Sequence, residues 1–467
     1  FFFFKQKTAY EIPKRDWSSD VCSSDLPDRR RAARVSGTSA RRVALAVIRR
    51  VTEDDAYSNL ALRAALDRSG LDGRDRALAT ELTYGTLRRL VALDEELATY
   101  LSRPVASTPR AALAVLRLGL QQLRSTRIPA HAAVSESVAI SEPRYRGLVN
   151  AVLRRASSSP APSLAGDDDA SVARRSGLAP WAVAELRRLR PDDVAAAAMG
   201  FAEPAALTLR VDRCRADIDE VADAIGGTGA RVERGALHAG SLVVRDLDGS
   251  PATLPGYAEG WFATQDQASS LVAEALEVHP GDRVADVCAA PGGKAVLLAC
   301  GAGPDGLVVA GDVSPQRARL VAAAAERLGH VVRTIVADAR RPALRETSFD
   351  RVLVDAPCSG IGSARRRPEL LWRADADAPT RMADLQLEIA RHAAALLAPG
   401  GRLVYSVCTF PTAETDAVCD VLLETAPFLE PAAVAGPDGA AERIRLWPHL
   451  HGCDAMFLAA FRRRADG

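Results

Sequence analysis

Long apolar runs are missing from this chain of 467 residues, and so are several patterns that mark common functions. No run reaches the roughly 18 apolar residues that a membrane-spanning helix needs, so we expect no membrane contact. The eight cysteines include no Cys-x-x-Cys pair, so the spacing suggests neither a zinc site nor a disulfide framework. A reducing cytoplasm is the simpler interpretation of such scattered cysteines.

The first residues lack the basic start and the small-residue cleavage site of a secretory signal peptide. They share neither the composition nor the periodicity of the sequence that follows. We therefore expect residues 1–27 to be a non-native or disordered segment, and the fold argument begins after them.

Charge is nearly balanced over the whole chain, at +1, but it is unevenly placed. Residues 28–156 hold 23 basic and 13 acidic side chains, a net charge of +10, whereas residues 157–467 hold 33 and 42, a net charge of −9. A basic segment of this kind suits a polyanion such as RNA. Solvated helix faces in an arginine-rich chain are the alternative.

The segment 38–156 has the apolar spacing of amphipathic helices. Its breaks fall at glycine and proline clusters, namely Gly70-Leu71-Asp72-Gly73, Arg103-Pro104 and Ile128-Pro129. The pattern predicts an all-α bundle of six or so helices for a domain spanning 28–156.

Residues 157–170, rich in serine, proline and aspartate, are predicted to form a linker. Between 171 and 265, a helix near Trp181–Leu189 and strand-like runs at 206–211 and 241–244 predict a small α+β subdomain. Three arginines in this part either contact phosphates or are exposed edge residues unconnected with RNA: Arg210, Arg213 and Arg215.

From 266 to 467, strand and helix patterns alternate, which predicts a Rossmann-like α/β domain with a doubly wound, mostly parallel sheet. The strands are expected at 284–288, 307–312, 332–338, 351–354, 401–404 and 455–461. Such sheets bind ligands beyond the carboxyl ends of their strands. The residues that follow each strand are therefore the candidates for a site.

A glycine-rich turn at 288–294 follows the first strand and would let backbone N–H groups approach a ligand at a helix start. Asp312, ending the second strand, could accept hydrogen bonds from ribose hydroxyls, and Asp338, ending the third, could bind an adenine amino group. Each aspartate is also explicable as a helix cap. Because the turn lacks G-x-G-x-x-G and a phosphate-binding lysine-serine pair, S-adenosyl-L-methionine fits better than a dinucleotide or ATP.

Two cysteines follow the fourth and fifth strands, in Asp355-Ala356-Pro357-Cys358-Ser359-Gly360 and Tyr405-Ser406-Val407-Cys408-Thr409-Phe410. Carbon 5 of cytosine accepts a methyl group only after a thiolate has added to carbon 6, with N3 protonated by a nearby acid. Asp355 is placed to bond N3 and the exocyclic amine, and either cysteine could attack. Cys22 lies in the excluded segment, and we assign the other five cysteines to inert packing: Cys214, Cys288, Cys300, Cys419 and Cys453.

Two sets of motifs resemble known families. The first set resembles the helical RNA-binding domain shared with the antitermination factor NusB: Tyr57-Ser58-Asn59-Leu60, Asp75-Arg76-Ala77-Leu78-Ala79, Tyr84-Gly85-Thr86-Leu87-Arg88, Leu116-Arg117-Leu118-Gly119, His131-Ala132-Ala133-Val134-Ser135-Glu136 and Val149-Asn150-Ala151-Val152-Leu153-Arg154. The second set resembles the signatures of RNA cytosine-5 methyltransferases: Cys288-Ala289-Ala290-Pro291-Gly292-Gly293-Lys294 and the two cysteine motifs. Together they make the chain similar to the RsmB/Sun family of 16S ribosomal RNA (cytosine-5) methyltransferases.

This resemblance implies that Cys408 attacks carbon 6 and that Cys358 assists release, an order that spacing alone leaves open. It implies cofactor contacts from Cys288, Ala289, Ala290, Pro291, Gly292, Gly293, Lys294, Asp312, Arg317, Asp338 and Asp355. Three positions depart from the usual family pattern, namely Val407, Thr415 and Ala455, and none of them removes a reacting group.

We therefore expect a cytoplasmic, monomeric enzyme that uses S-adenosyl-L-methionine, acts on 16S ribosomal RNA and needs no metal. The same chemistry on transfer RNA is one alternative, and the NusB-like front favours the ribosomal substrate over it. A non-catalytic RNA-binding factor for antitermination or assembly is the other. The presence of Asp355, Cys358 and Cys408 together argues against that reading.

Overall fold

A helical region opens the part of the chain that this computed structural model describes, which is residues 37–162, 165–247, 249–373 and 375–465. The segment 1–27 lies outside these residues. The helices are α1 (Gly37–Glu53), α2 (Ser58–Ser69), α3 (Gly73–Arg88), α4 (Leu90–Tyr100), α5 (Arg110–Ser125), α6 (Ala130–Ile140) and α7 (Arg146–Ser157). Their buried faces form two adjoining apolar clusters. The predicted helical bundle is confirmed, and the boundary predicted at residue 156 stays a prediction.

Three further helices come next: α8 (Asp169–Ser176), α9 (Pro180–Leu189) and α10 (Val194–Ala202). The carboxylate of Asp168 caps α8 by accepting from the N–H of Ser171 at 3.0 Å. These helices share one apolar cluster with Ile361 and Phe410, which lie just beyond the two candidate cysteines. They therefore pack against the loops that carry the two candidate cysteines.

A small antiparallel sheet with one helix follows: β1 (Leu207–Val211), α11 (Ile218–Gly226), β2 (Arg231–Arg234), β3 (Ser241–Arg245) and β4 (Phe262–Thr264), in the order β2-β3-β1-β4. Arg213 and Arg215 are exposed, as an RNA contact requires. Arg210 is fully buried, and its Nε donates to the Oε1 atom of Gln265 at 2.8 Å. Both interpretations of Arg210, as a phosphate contact or as an exposed edge residue, were wrong, because its guanidinium finds its partner inside the protein.

The last domain alternates strands and helices: α12 (Gln267–Glu274), β5 (Arg283–Asp286), α13 (Gly293–Ala302), β6 (Leu307–Asp312), α14 (Pro315–Leu328), β7 (Arg333–Val336), β8 (Phe349–Asp355), α15 (Leu370–Arg373), α16 (Ala378–Ala395), β9 (Leu397–Val407), α17 (Asp416–Thr425), β10 (Leu429–Ala432), β11 (Val434–Gly436), β12 (Gly439–Ala441), β13 (Arg443–Leu446), α18 (Pro448–His451) and β14 (Met456–Arg463). The main sheet runs β10-β14-β9-β8-β5-β6-β7, with β13 pairing β14.

This order confirms the predicted doubly wound sheet. The strands from β9 to β7 are parallel. Beyond β9, β14 pairs antiparallel with β9, and β10 pairs antiparallel with β14. The chain runs outward from β5 through β6 to β7 and then returns to β8 on the opposite side of β5. The carboxyl ends of β5 and β8 therefore face a topological switch point, where ligands bind in such sheets. Among the described residues, no helix is both long enough and apolar enough to cross a membrane.

Candidate active site

The two candidate cysteines lie side by side at the carboxyl ends of neighbouring parallel strands. Strand β8 ends at Asp355, and its neighbour β9 ends at Val407, immediately before Cys408. The register places Asp355 beside Ser406, so the two loops leave the sheet at the same level. The Sγ atoms of Cys358 and Cys408 are 3.4 Å apart.

The contact between the two thiols shifts their pKa values in opposite directions. The hydrogen bond from Cys358 lowers the pKa of Cys408, with help from the positive charges of Arg367 and Lys294 against the effect of burial. The same hydrogen bond, together with burial, raises the pKa of Cys358 well above its ordinary value. These contacts favour ionisation of Cys408 over that of Cys358.

Asp355 is held from both sides. Its Oδ2 atom lies 2.8 Å from the ammonium of Lys294, and its Oδ1 atom accepts from the hydroxyl of Ser406 at 3.0 Å. Burial lowers the pKa of Lys294, but the charge and the hydrogen bond of Asp355 outweigh burial and raise it overall. Lys294 thus stays an ammonium ion that fixes the carboxylate near the two sulfur atoms.

The glycine turn packs closely against helix α14. Gly292 has a φ of 110°, and a β-carbon there would lie 2.9 Å from the Cα atom of Val321, so only glycine fits without movement. Cys288 and Ala289 lead into the turn from β5, and Gly293 begins α13. Burial raises the pKa of the Cys288 thiol well above its ordinary value, which suits a packing role for that side chain.

Asp312 and Arg317 form a bridge to the same turn. The Oδ2 atom of Asp312 lies 3.2 Å from the Nε of Arg317, and the Nη2 of Arg317 donates to the carbonyl of Ala290 at 3.3 Å. The Oδ1 atom of Asp312 accepts from the N–H of Ser314, but the N-cap of α14 is Ser314 itself, so the helix-cap alternative does not describe Asp312. These contacts gather the predicted cofactor residues at the ends of β5 and β6.

Asp338 does not end its strand as the sequence predicts. Strand β7 ends at Val336, so Asp338 lies two residues beyond the strand and not at its end. Its carboxylate pairs with Arg340 at 2.6 Å, and this hydrogen bond lowers its pKa. The N–H of Ala337 donates to the carbonyl of Asp312 at 3.1 Å, which keeps the loop beside Asp312.

Sequence reasoning missed Asp286, the last residue of β5. It is 1% exposed, and neither of its carboxylate oxygens has a well-formed hydrogen bond within the described residues. Burial raises its pKa to about 7, and the charge of Asp355 adds to this effect. An unsatisfied buried carboxylate beside the glycine turn fits a ligand that carries positive charge. An aspartate inside an apolar strand run was the signal in the sequence.

Two of the cysteines assigned to packing were interpreted wrongly. Cys214 and Cys300, 86 residues apart, form a disulfide that joins the turn after β1 to helix α13. Cysteine spacing therefore gives no argument for a reducing compartment. Cys419 and Cys453 are buried free thiols, as the packing assignment predicts.

The helical region contacts the segment that follows the Cys358 loop. Buried Glu369 accepts from the N–H of Ser58 at 3.1 Å through its Oε1 atom. The indole N–H of Trp372 donates to the carbonyl of Leu87 at 3.3 Å. The guanidinium of Arg367 lies 6.0 Å from the ring centre of Tyr57. The amino-terminal helices thus pack against the segment that follows the Cys358 loop.

The three departures from the family pattern leave this geometry intact. Val407 is fully buried in β9, and Ala455 is 1% exposed. The hydroxyl of Thr415 donates to the carbonyl of Pro411 at 3.0 Å. Each residue is accommodated by packing or a local hydrogen bond, without moving either cysteine loop out of the site.

Comparison with known proteins agrees with the fold and the motifs. Residues 273–462 match the family described as 16S rRNA methyltransferase RsmB/F, and residues 38–158 match the NusB family. The putative methyltransferase Rv1407 of Mycobacterium tuberculosis is 38% identical over 471 residues, covering 91% of this chain and 96% of that protein. The probable ribosomal RNA small subunit methyltransferase B of Bacillus subtilis is 34% identical over 455 residues, covering 91% and 99%.

A solved structure shares the architecture. The crystal structure of PH0851 superposes with a TM-score of 0.80 at 22% identity, over 91% of this chain and 99% of that one. This likeness supports the fold alone. With relatives above 30% identity that match nearly end to end, the chain belongs to the RsmB/F family of 16S rRNA methyltransferases and carries a NusB-family domain in front of its methyltransferase domain.

Proposed function

We propose that the protein methylates carbon 5 of a cytosine in 16S ribosomal RNA, through a covalent bond between Cys408 and carbon 6 of the base. The observation that carries this proposal is the 3.4 Å contact between Cys358 and Cys408, beside a carboxylate that Lys294 holds in place. A single thiol would suffice for attack alone. Two adjacent thiols with oppositely shifted pKa values suit a reaction that must both form and release a thioether.

The cofactor in this proposal is S-adenosyl-L-methionine, which supplies an electrophilic methyl group when bound. The residues that would hold it are the turn 288–294, Asp312 with Arg317, and Asp338. The unsatisfied carboxylate of Asp286 fits the positive charge that this cofactor carries on its amino and sulfonium groups. Asp312 is 5% exposed and already fixed by Ser314 and Arg317, so it presents its oxygens in one orientation.

The protein's own groups divide the acceptor chemistry. The Cys408 thiolate adds to carbon 6 of a cytosine that has been unstacked to reach the two cysteines. Asp355, with the Lys294 ammonium at 2.8 Å, meets N3 and the exocyclic amine. Once the methyl group is on carbon 5, that carbon gives its proton to water, the double bond between carbons 5 and 6 re-forms, and the electron pair of the carbon–sulfur bond returns to Cys408 as its thiolate, a release that Cys358 assists.

The NusB-like domain would bind the RNA. We place the reaction in the cytoplasm. Residues 28–156 carry a net charge of +10, so RNA affinity should fall steeply as salt rises. A flat salt dependence would make this charge incidental.

Methylation of defined RNAs tests the proposal. The purified protein is incubated with S-adenosyl-L-methionine and either 16S ribosomal RNA or transfer RNA, and 5-methylcytosine is located by bisulfite sequencing. A new 5-methylcytosine in the 16S ribosomal RNA is expected. Modification of transfer RNA alone would favour the alternative substrate, and RNA binding with no modification would favour a non-catalytic factor.

A further inference from the structure

Glu414 lies between the two cysteine loops without touching either sulfur atom. It is fully buried, although a carboxylate is costly to bury without partners. Its Oε1 atom accepts from the N–H of Ser359 at 2.8 Å, and its Oε2 atom accepts from the hydroxyl of Ser359 at 2.5 Å. The hydroxyl of Ser359 is also 2.7 Å from that of Thr409. One carboxylate thus connects the residues that immediately follow Cys358 and Cys408.

Gln386, on α16, joins the same network of hydrogen bonds. Its amide nitrogen donates to the carbonyl of Pro357 at 2.9 Å and to the Oε1 atom of Glu414 at 3.0 Å. The single hydroxyl proton of Tyr405 is shared between the amide oxygen of Gln386, at 3.0 Å, and the backbone carbonyl of Glu414, at 2.7 Å. The residues on both sides of Cys358 are therefore tied to the same buried side chains.

We propose that Glu414 is a positioning residue, which holds the loops of Cys358 and Cys408 so that the two sulfur atoms meet at one base. This inference rests on the proposed function and adds a residue to which that proposal gives no role. The helical domain, the glycine turn and the cofactor residues make no hydrogen bond to the Glu414 carboxylate among the described contacts. Loss of Glu414 should accordingly disturb the thiol pair and leave cofactor binding unchanged.

The test compares Glu414→Ala, Glu414→Gln and a matched control, Glu424→Ala, which removes an exposed carboxylate from neighbouring helix α17. Cofactor affinity measured by calorimetry should be equal in all of them. For Glu414→Ala we expect kcat to fall about 100-fold, the scale of loss for a reacting group displaced by roughly 1 Å. Glutamine keeps the oxygen that accepts from Ser359 N–H, so Glu414→Gln should recover most of this activity.

A second readout needs no RNA. Diamide oxidises two adjacent thiols to a disulfide, and mass spectrometry follows formation of the bond between Cys358 and Cys408. This reaction should be fast in the wild-type protein and in Glu424→Ala, and slow in Glu414→Ala. Equal rates and equal kcat in Glu414→Ala would overturn the positioning role. If the wild-type protein methylates no RNA, the proposed function fails, and the diamide rates still decide the role of Glu414.

Ser359→Ala serves if Glu414→Ala loses cofactor binding and so shows a wider loss of structure. It removes the hydroxyl that connects Glu414 with Thr409 and keeps the backbone N–H bond. A slower diamide reaction at unchanged cofactor affinity supports the proposal, and an unchanged rate contradicts it.

Discussion

The thiol of Cys358 lies 3.4 Å from the sulfur of Cys408, and this contact lowers the pKa of one group while raising that of the other. Since thiolates are the reactive form, iodoacetamide should modify Cys408 at a lower pH than Cys358. Peptide mass spectrometry of samples alkylated across a pH series gives both profiles. Replacing Cys358 by alanine removes the hydrogen bond, so the Cys408 profile should move to higher pH. Faster alkylation of Cys358 would contradict this assignment.

Substitution separates the roles of the two thiols in catalysis. Cys408→Ala should abolish methylation, because the neighbouring Cys358 has a raised pKa and stays protonated, so no thiolate is left to add to carbon 6. Cys358→Ser should allow attack and slow release, so that a protein–RNA adduct persists on a denaturing gel. An adduct that accumulates with Cys408→Ala instead would reverse the two roles.

Asp312 should contribute to cofactor affinity. Asp312→Ala removes a buried carboxylate that also orients Arg317, and we expect binding of S-adenosyl-L-methionine to weaken by about 1–3 kcal/mol. Calorimetry with the purified protein measures the change. Glu326→Ala, an exposed substitution on the same helix α14, is the control and should bind as the wild-type protein does. If both variants bound S-adenosyl-L-methionine with equal affinity, Asp312 would not belong to the cofactor site.

Asp286 should make the cofactor-free protein lose stability as pH rises. Its pKa is about 7 in the folded protein against an ordinary value of 3.8, so the folded state keeps a proton that the unfolded chain releases between these values. That stabilisation is complete below the lower value and is lost as pH rises through the higher one. The asparagine in Asp286→Asn cannot ionise. As pH rises from about 4 to 8, the melting temperature of this variant should therefore increase relative to that of the wild-type protein.

Thermal melts of both proteins across this range check the prediction for Asp286. A constant difference between the two melting temperatures would show that Asp286 keeps its ordinary pKa. Adding the cofactor should reduce the pH dependence, because a positive group beside Asp286 favours its ionised form.

Much of the site was predictable because its groups follow strands that the sequence marks clearly. Cys358 and Cys408 each follow an apolar run by a few residues, and neighbouring parallel strands end at one edge of a sheet, so their convergence follows from the pattern. The turn 288–294 and Asp312 were found in the same way. Their positions just after predicted strands were enough to predict that these groups converge.

Other features depend on contacts between distant parts of the chain. Cys214 and Cys300 are 86 residues apart in the sequence, so their disulfide has no local signal. Arg210 resembles an exposed arginine in the sequence and is buried because Gln265 accepts its hydrogen bond. Glu414 lies in a short 3₁₀ turn, and its role emerges only when Ser359 is brought against it.

The most direct measurement uses the wild-type protein with an RNA that carries 5-fluorocytosine at the methylated position. Fluorine cannot leave carbon 5 as a proton does, so a thiol that has added to carbon 6 stays attached, and peptide mapping identifies it. We predict a cofactor-dependent adduct on Cys408. An adduct on Cys358, or no adduct with an RNA whose unmodified form is methylated, would contradict the account.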